Sequence, residues 1–315
     1  MERPGQRRKR FVRSKVRVHL TPDDLAIIDH VRRHRFLRST HLVRLLPHRR
    51  RKKLIERLAA LYHAGYLDRP RAQLDYYARG GSAPMVYALG DRSPDVAPEA
   101  GKLDWSDKNR EVKRPYIQHR LLVADILVAV EVAAWTREDL DFVDAERLLR
   151  LRPRPDHGHP WKLAADLQIG RKRHAVTLIP DAVFALRFRA TGRSAYFFLE
   201  ADRGTMPIAR ADLAQSSIKR KLLAYQASLK AGRDLERFGF DNLRVLIVAT
   251  SSERVQSMIA SLNDVTQGAP TGRFLFAEAI ATTSRDPLAA LWATNDATVR
   301  LDNSLGRGNA ARRAG

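Results

Sequence analysis

Three carboxylates lie in or beside apolar runs in the middle of the chain. Asp181 stands in VTLIPDAVFALRF (176–188), and Glu200 and Asp202 stand in AYFFLEADRGT (195–205). A carboxylate carried into an apolar strand loses its hydration, so it persists only where it is paired, hydrogen-bonded or bound to a metal. Glu200 and Asp202 are two residues apart, and the period of a strand turns both to one face, which favours joint ligation of a cation. The competing reading is positional: Asp181 and Asp202 end their strands, and Asp202 can cap the Gly204–Thr205 turn. It accounts for each carboxylate separately but not for their recurrence in consecutive runs.

The elements around them follow a simple order. Pro115–Trp135 reads as a long helix with Ile117, Leu121, Leu122, Ile126, Val130 and Val132 apolar and Glu131 exposed or at the boundary. A first strand falls within Asp141–Leu151, and the two carboxylate-bearing runs are the second and third. SSIKRKLLAYQ opens a helix over Ser216–Lys230, and RVLIVAT (244–250) is a continuous apolar run suited to a strand covered on both faces. A helix over Glu253–Leu262 and a strand over Arg273–Ala279 complete the domain. His157-Gly158-His159 could suggest a metal pair, but its proline flanks make it a solvated loop.

The first third of the chain has a different character. Thr21 caps a helix opening at Pro22, with Asp23 and Asp24 in the first turn and Leu25, Ile27, Ile28 and Val31 as its apolar face. A short helix begins at Ser39 or Thr40. A third runs through RRRKKLIERLAALYHAG, with Leu54, Leu58 and Leu61 inward and Gly65 as its stop. YLDRP and MVYALG then read as a strand pair, and three helices followed by a hairpin is the order of a winged helix-turn-helix. Arg49, Arg50, Arg51, Lys52 and Lys53 crowd the start of the third helix, the end that approaches base edges in such domains. Arg69, Arg71 and Arg79 on the wing are expected to add phosphate contacts.

Charge points the same way. The 315 residues carry 57 Lys and Arg against 35 Asp and Glu, a formal net charge of +22. A self-repelling chain of this kind has a polyanion as its expected partner, and double-stranded DNA is the leading one. With no cysteine, disulfides, zinc ribbons and thiol catalysis are excluded. The basic N-terminus lacks a following apolar segment and no run is long enough to span a bilayer, so a cytoplasmic protein without a membrane partner is expected.

Pro180-Asp181 on one strand and Glu200-Ala201-Asp202 on the next resemble the PD-(D/E)XK nuclease superfamily. That resemblance implies Mg²⁺ or Mn²⁺ held by Asp181 and Glu200, with Asp202 as auxiliary ligand, and a lysine assisting the attack of water. This sequence departs where the superfamily has lysine: Asp202 occupies that place, leaving Lys221, or else Lys219, to supply the cation from the next helix. Over nearly the full length, Gly65-Tyr66-Leu67, the Val-Tyr-Ala-Leu strand, PDAVF, FFLEADRGT and KRKLLAY are similar to the replication-relaxation family of mobile elements. Membership implies a part in plasmid replication and DNA relaxation, with a homodimer and replication or transfer proteins as further partners.

The expected fold is α/β, α+β overall: a winged helix-turn-helix followed by a restriction-endonuclease-like αβββαβ domain. Its divisions are a basic flexible arm (1–19), the DNA-binding domain (20–90), a linker (91–110), the nuclease-like domain (111–293) and a disordered tail (294–315). Two functions are open: a metal-dependent DNA nickase, or a non-catalytic replication or transcription factor with a degenerate nuclease-like domain.

Overall fold

The computed structural model describes residues 12–14, 16–73, 83–97, 112–151, 158–212, 215–283 and 286–303. The backbone divides into two compact units, residues 1–128 and 129–315.

In the first unit, α1 (Pro22–His34) is followed by β1 (Leu37–Arg38), α2 (Ser39–Leu45), α3 (Arg51–His63), β2 (Leu67–Asp68) and β3 (Val86–Leu89). Thr21 and Asp24 form a reciprocal capping box at the start of α1, which satisfies backbone donors that the first turn leaves unpaired. Ile27, Ile28 and Val31 are buried, but Leu25, expected beside them, is 46% exposed because it lies off their stripe. Asp24 is itself buried and accepts from Arg57 Nε of α3 at 2.7 Å, which ties α1 to α3. Gly65, with φ +89°, ends α3, and the Tyr66 N–H returns to Leu61 O at 3.0 Å. The small antiparallel sheet runs β1-β3-β2. Gly90 closes it where only hydrogen fits, since a Cβ there would stand 2.2 Å from Gly65 O. Ser93–Asp95, expected in a linker, makes a 3-10 turn with Ser93 buried.

The division between units falls inside α4 (Arg114–Trp135). Burial runs round this helix instead of along one stripe, so Glu131, expected at the boundary, is only 5% exposed.

The second unit continues with β4 (Leu140–Asp144), α5 (Ala145–Arg150), β5 (Leu163–Ile169), β6 (Lys172–Leu178), β7 (Ala182–Phe188), β8 (Ser194–Asp202), α6 (Ile218–Lys230), α7 (Arg233–Phe238), β9 (Arg244–Ala249), α8 (Ser252–Thr266), β10 (Phe274–Glu278), α9 (Ala279–Thr283), β11 (Trp292–Ala293) and β12 (Thr298–Val299). Among the described residues, one sheet has the order β12-β11-β10-β9-β8-β7-β4. Its β4, β7 and β8 are antiparallel, while β8, β9 and β10 run parallel. Leu222 and Tyr225 of α6, Met258 and Leu262 of α8, and Leu163 and Leu167 of β5 pack on Phe198, Val245, Ile247 and Phe276 of this sheet.

Two expectations are corrected here. The run 176–188 is not one strand: Pro180, which has no N–H to donate, separates β6 from β7, and β6 pairs with β5 in a two-stranded ribbon that periodicity did not reveal. Residues 294–303, expected in the tail, are built into the unit. Strand β12 pairs with β11, Leu301 is fully buried, and Asp302 accepts from Arg137 Nη1 at 3.1 Å.

Candidate functional site

Strand β8 is the centre of the site. Its apolar residues bury it between β7 and β9, and alternation turns Phe198, Glu200 and Asp202 toward the helices that cover the sheet. Glu200 is buried, and each of its oxygens is taken by α6: Oε2 accepts from Lys221 Nζ at 2.6 Å and Oε1 from Tyr225 Oη at 2.5 Å. Lys221 and Tyr225 are one helical turn apart and therefore share a face of α6. Ser217 caps that helix by accepting from the Arg220 N–H, which fixes where its first turn begins.

Asp181 joins them from the position just before β7. It sits one step beyond the Ala182–Leu199 pair, which sets it against Glu200. Its N–H donates to Leu199 O at 2.9 Å, and its Oδ2 accepts from the Ala201 N–H at 2.9 Å. Both bonds reach β8 from the residue that precedes β7, and the second holds the carboxylate through a backbone N–H.

The charges interact strongly. Burial pushes the Glu200 carboxyl above the ordinary range; Lys221 opposes that shift and Asp181 adds to it. Burial also works against the Lys221 ammonium, but Glu200, with Asp181 and Asp202 beyond it, outweighs burial and holds the proton more tightly than in a free lysine. Burial and then the Glu200 charge raise the Tyr225 phenol well above its usual range, so it remains a hydrogen-bond donor.

Asp202 faces the same side but has a different employment. Arg254 of α8 grips it through Nε and through Nη2, the latter at 3.0 Å, and also reaches Met206 O. Asp202 Oδ2 accepts from the Gly204 N–H at 2.9 Å, capping the turn in which Gly204 takes φ +78°. The expected third ligand is thus drawn into an Arg-carboxylate fork. Among the described residues, no group of three His, Asp or Glu side chains could hold a metal ion. Lys219 is also elsewhere, with its Nζ 2.7 Å from Asp264 of α8. Of the expected ligands, Asp181 and Glu200 remain as hard oxygen donors whose charges disfavour one another, a repulsion that a divalent ion would offset. Arg254 was not foreseen as a site residue; Tyr225 was visible as the last residue of the KRKLLAY string, without a role assigned to it.

In the first unit, Arg50, Arg51, Lys52 and Lys53 are exposed at the start of α3, and Arg49 pairs with Asp23 at 2.9 Å. Arg71 is exposed, and Arg79 lies outside the described residues. Arg69, expected to reach phosphate, is instead buried. Its guanidinium stacks 4.2 Å from the Tyr62 ring centroid and donates to Tyr87 Oη at 3.3 Å, so it joins α3 to β3. His157 lies outside the described residues, and His159 is exposed in its loop.

A family model described as replication-relaxation matches residues 28–242, a span that holds α3, β7, β8 and the whole of the Asp181–Glu200–Lys221 cluster. No curated protein and no solved structure matches the chain. No helix of the described residues is long and apolar enough to cross a membrane.

Proposed function

The chain belongs to the replication-relaxation family, which ties it to the replication and relaxation of mobile elements, and on that premise we propose that it nicks plasmid or mobile-element DNA. A single-strand break lets one strand rotate about the other, so nicking relaxes a supercoiled circle. The first unit binds the duplex through Arg50, Arg51, Lys52 and Lys53. Four consecutive cations at a helix N-terminus oppose the helix dipole, so a polyanion is the partner that offsets their cost.

The observation that carries the catalytic reading is the 2.6 Å contact between Lys221 and Glu200, with Asp181 set against Glu200 from the neighbouring strand. The cation absent from position 202 is supplied from α6. Asp181 and Glu200 are the residues that would hold Mg²⁺ or Mn²⁺, which when bound lowers the pKa of a coordinated water and neutralises phosphoryl charge. Lys221, kept protonated by its carboxylate neighbours, places a positive charge where the phosphoryl oxygens become more negative. Tyr225 holds Glu200 in one orientation, and the backbone bonds on Asp181 do the same for its carboxylate. Hydrolysis adds hydroxyl to phosphorus, breaks one P–O bond and leaves the proton on the departing oxygen.

A second reading, a DNA-binding replication factor without cleavage, is favoured by the commitment of Asp202 to Arg254. Incubating supercoiled plasmid with Mg²⁺ or Mn²⁺ separates the two. Nicked circles made by the wild-type chain and lost in Asp181→Ala/Glu200→Ala support cleavage. Tight binding with no nicking under either ion supports the second reading, and nicking that survives the double substitution removes the site.

A further inference from the structure

The β5–β6 ribbon belongs to neither the carboxylate cluster nor the first unit, and its charge is unexplained by either. Its base is apolar: Leu163, Ala165, Leu167 and Leu178 are buried, and Ser228 of α6 donates to Ala164 O at 2.8 Å. Burial then ends toward the tip, where Gly170, Arg171, Lys172 and Arg173 are all exposed. The two-residue connection Gly170-Arg171 is tight, with Gly170 at φ +59° and its carbonyl accepting from Gln168 Nε2 at 2.9 Å.

The register assigns those cations to both sides of the ribbon. Lys172 follows the alternation of Val176 and Leu178, the inward side, Arg173 follows Ala175 and Thr177, the outward side, and Arg171 stands in the turn between the two strands. The acid that approaches them is Asp166, 3.9 Å from Arg173 and 3.5 Å from Arg233. Among the described residues, Arg171 and Lys172 have no carboxylate within ion-pair distance. A ribbon that packed against one protein surface would carry its charge on the opposite face alone. Cations on both faces of a projecting tip suit a space walled by anions on two sides.

A DNA groove is such a space. The major groove is about 12 Å wide and admits a two-stranded ribbon, with a row of phosphates along each edge. From Leu178 to Lys172 the ribbon spans six steps, or about 20 Å at the rise of a strand, and Asp181 lies three residues beyond its base. We infer that the β5–β6 tip enters a groove of duplex DNA, with Arg171, Lys172 and Arg173 neutralising phosphates on both edges at a distance from the Asp181–Glu200–Lys221 cluster. This gives the second unit its own hold on the duplex, and it rests on the reading that DNA is the partner.

The test is fluorescence anisotropy of a labelled duplex against salt, for the wild-type chain, Arg171→Gln/Lys172→Gln/Arg173→Gln, and Arg50→Gln/Arg51→Gln/Lys52→Gln/Lys53→Gln. The tip variant is expected to lower the slope of log affinity against log salt by about 2 to 3, because each lost phosphate contact releases about one counterion fewer. It should also lose hydroxyl-radical protection on the duplex while retaining the wild-type melting temperature, since the substituted side chains are exposed. If the tip variant keeps the full slope while the α3 variant loses part of it, the ribbon inference is overturned and DNA binding stands. If the wild-type chain binds no duplex, both fall. Should the tip variant melt early, the single substitution Arg171→Gln is read in its place, with an expected slope loss of about 1.

Discussion

Lys221 Nζ stands 2.6 Å from Glu200 Oε2, while Lys219, two residues earlier on the same helix, is turned to Asp264. Two positions along a helix are about 200° apart, so the two lysines cannot serve one site. Lys221→Ala is therefore expected to abolish nicking of supercoiled plasmid, and Lys219→Ala to leave it unchanged. Lys221→Ala should also cost about 1–3 kcal/mol of stability, because a buried carboxylate loses its partner, though the lysine is partly exposed and Glu200 can take up a proton. Chemical denaturation of both variants measures this, and equal nicking by the two would remove Lys221 from the site.

Arg254, half-buried on α8, pairs with the second buried carboxylate of β8, Asp202. Arg254→Ala is expected to destabilise the second unit by about 3–5 kcal/mol, since it strands Asp202 and frees the turn at Gly204 and Met206. Adding Asp202→Ala should recover part of that loss, because the stranded charge is then gone. A double-mutant cycle by urea unfolding checks the sign, and strictly additive losses would contradict the pairing.

Arg69 and Arg51 separate structure from recognition within one small domain. Arg69→Ala should lower stability by about 1–2 kcal/mol through the lost stacking on Tyr62 and Tyr87, with the salt slope of DNA affinity unchanged. Arg51→Gln should do the reverse, lowering the slope by about 1 with little change in melting temperature. Anisotropy and thermal melting on the same two variants decide the matter.

Acid sensitivity of the first unit follows from His41 and Asp125. The Arg38 N–H donates to His41 Nδ1 at 3.2 Å, leaving Nε2 to donate to Asp125 at 2.6 Å. Burial, with Arg38 and Arg44 adding to it against the pull of Asp125, lowers the His41 pKa below its usual 6.5. The unfolded chain therefore binds the proton more readily, and stability falls as pH drops below about 6.5 toward the lowered value. Burial works against the Asp125 charge, but His41 and Arg38 outweigh it and lower its pKa, so its contribution is lost further down, below about 3.8. His41→Gln should flatten the decline in melting temperature between pH 7 and 5, and an unchanged decline would refute the assignment.

Much of this molecule is legible in its residues taken in order. The capping residues at Thr21 and Asp24, the spacing of Leu54, Leu58 and Leu61, the stop at Gly65 and the apolar run of β9 are local signals, and each reflects the geometry of a few consecutive residues. That Asp181 and Glu200 stand in consecutive apolar runs was visible as well, whereas their juxtaposition comes from the pairing of β7 with β8. Other features required the folded chain. Val176–Leu178 and Ala182–Phe188 run together as one apolar stretch until β5 claims the first part, within Lys172–Leu178, through pairing partners three to fifteen residues away. Arg69 and Arg71 are alike in a one-dimensional reading, yet one is enclosed by Tyr62 and Tyr87 and the other faces solvent. Asp202 stands one strand period from Glu200, and what divides their roles is Arg254, 52 residues downstream. Residue type and spacing determine which groups share a face; the partner that neutralises each charge is a matter of tertiary packing, because electrostatic energy depends on distance through space and not along the chain.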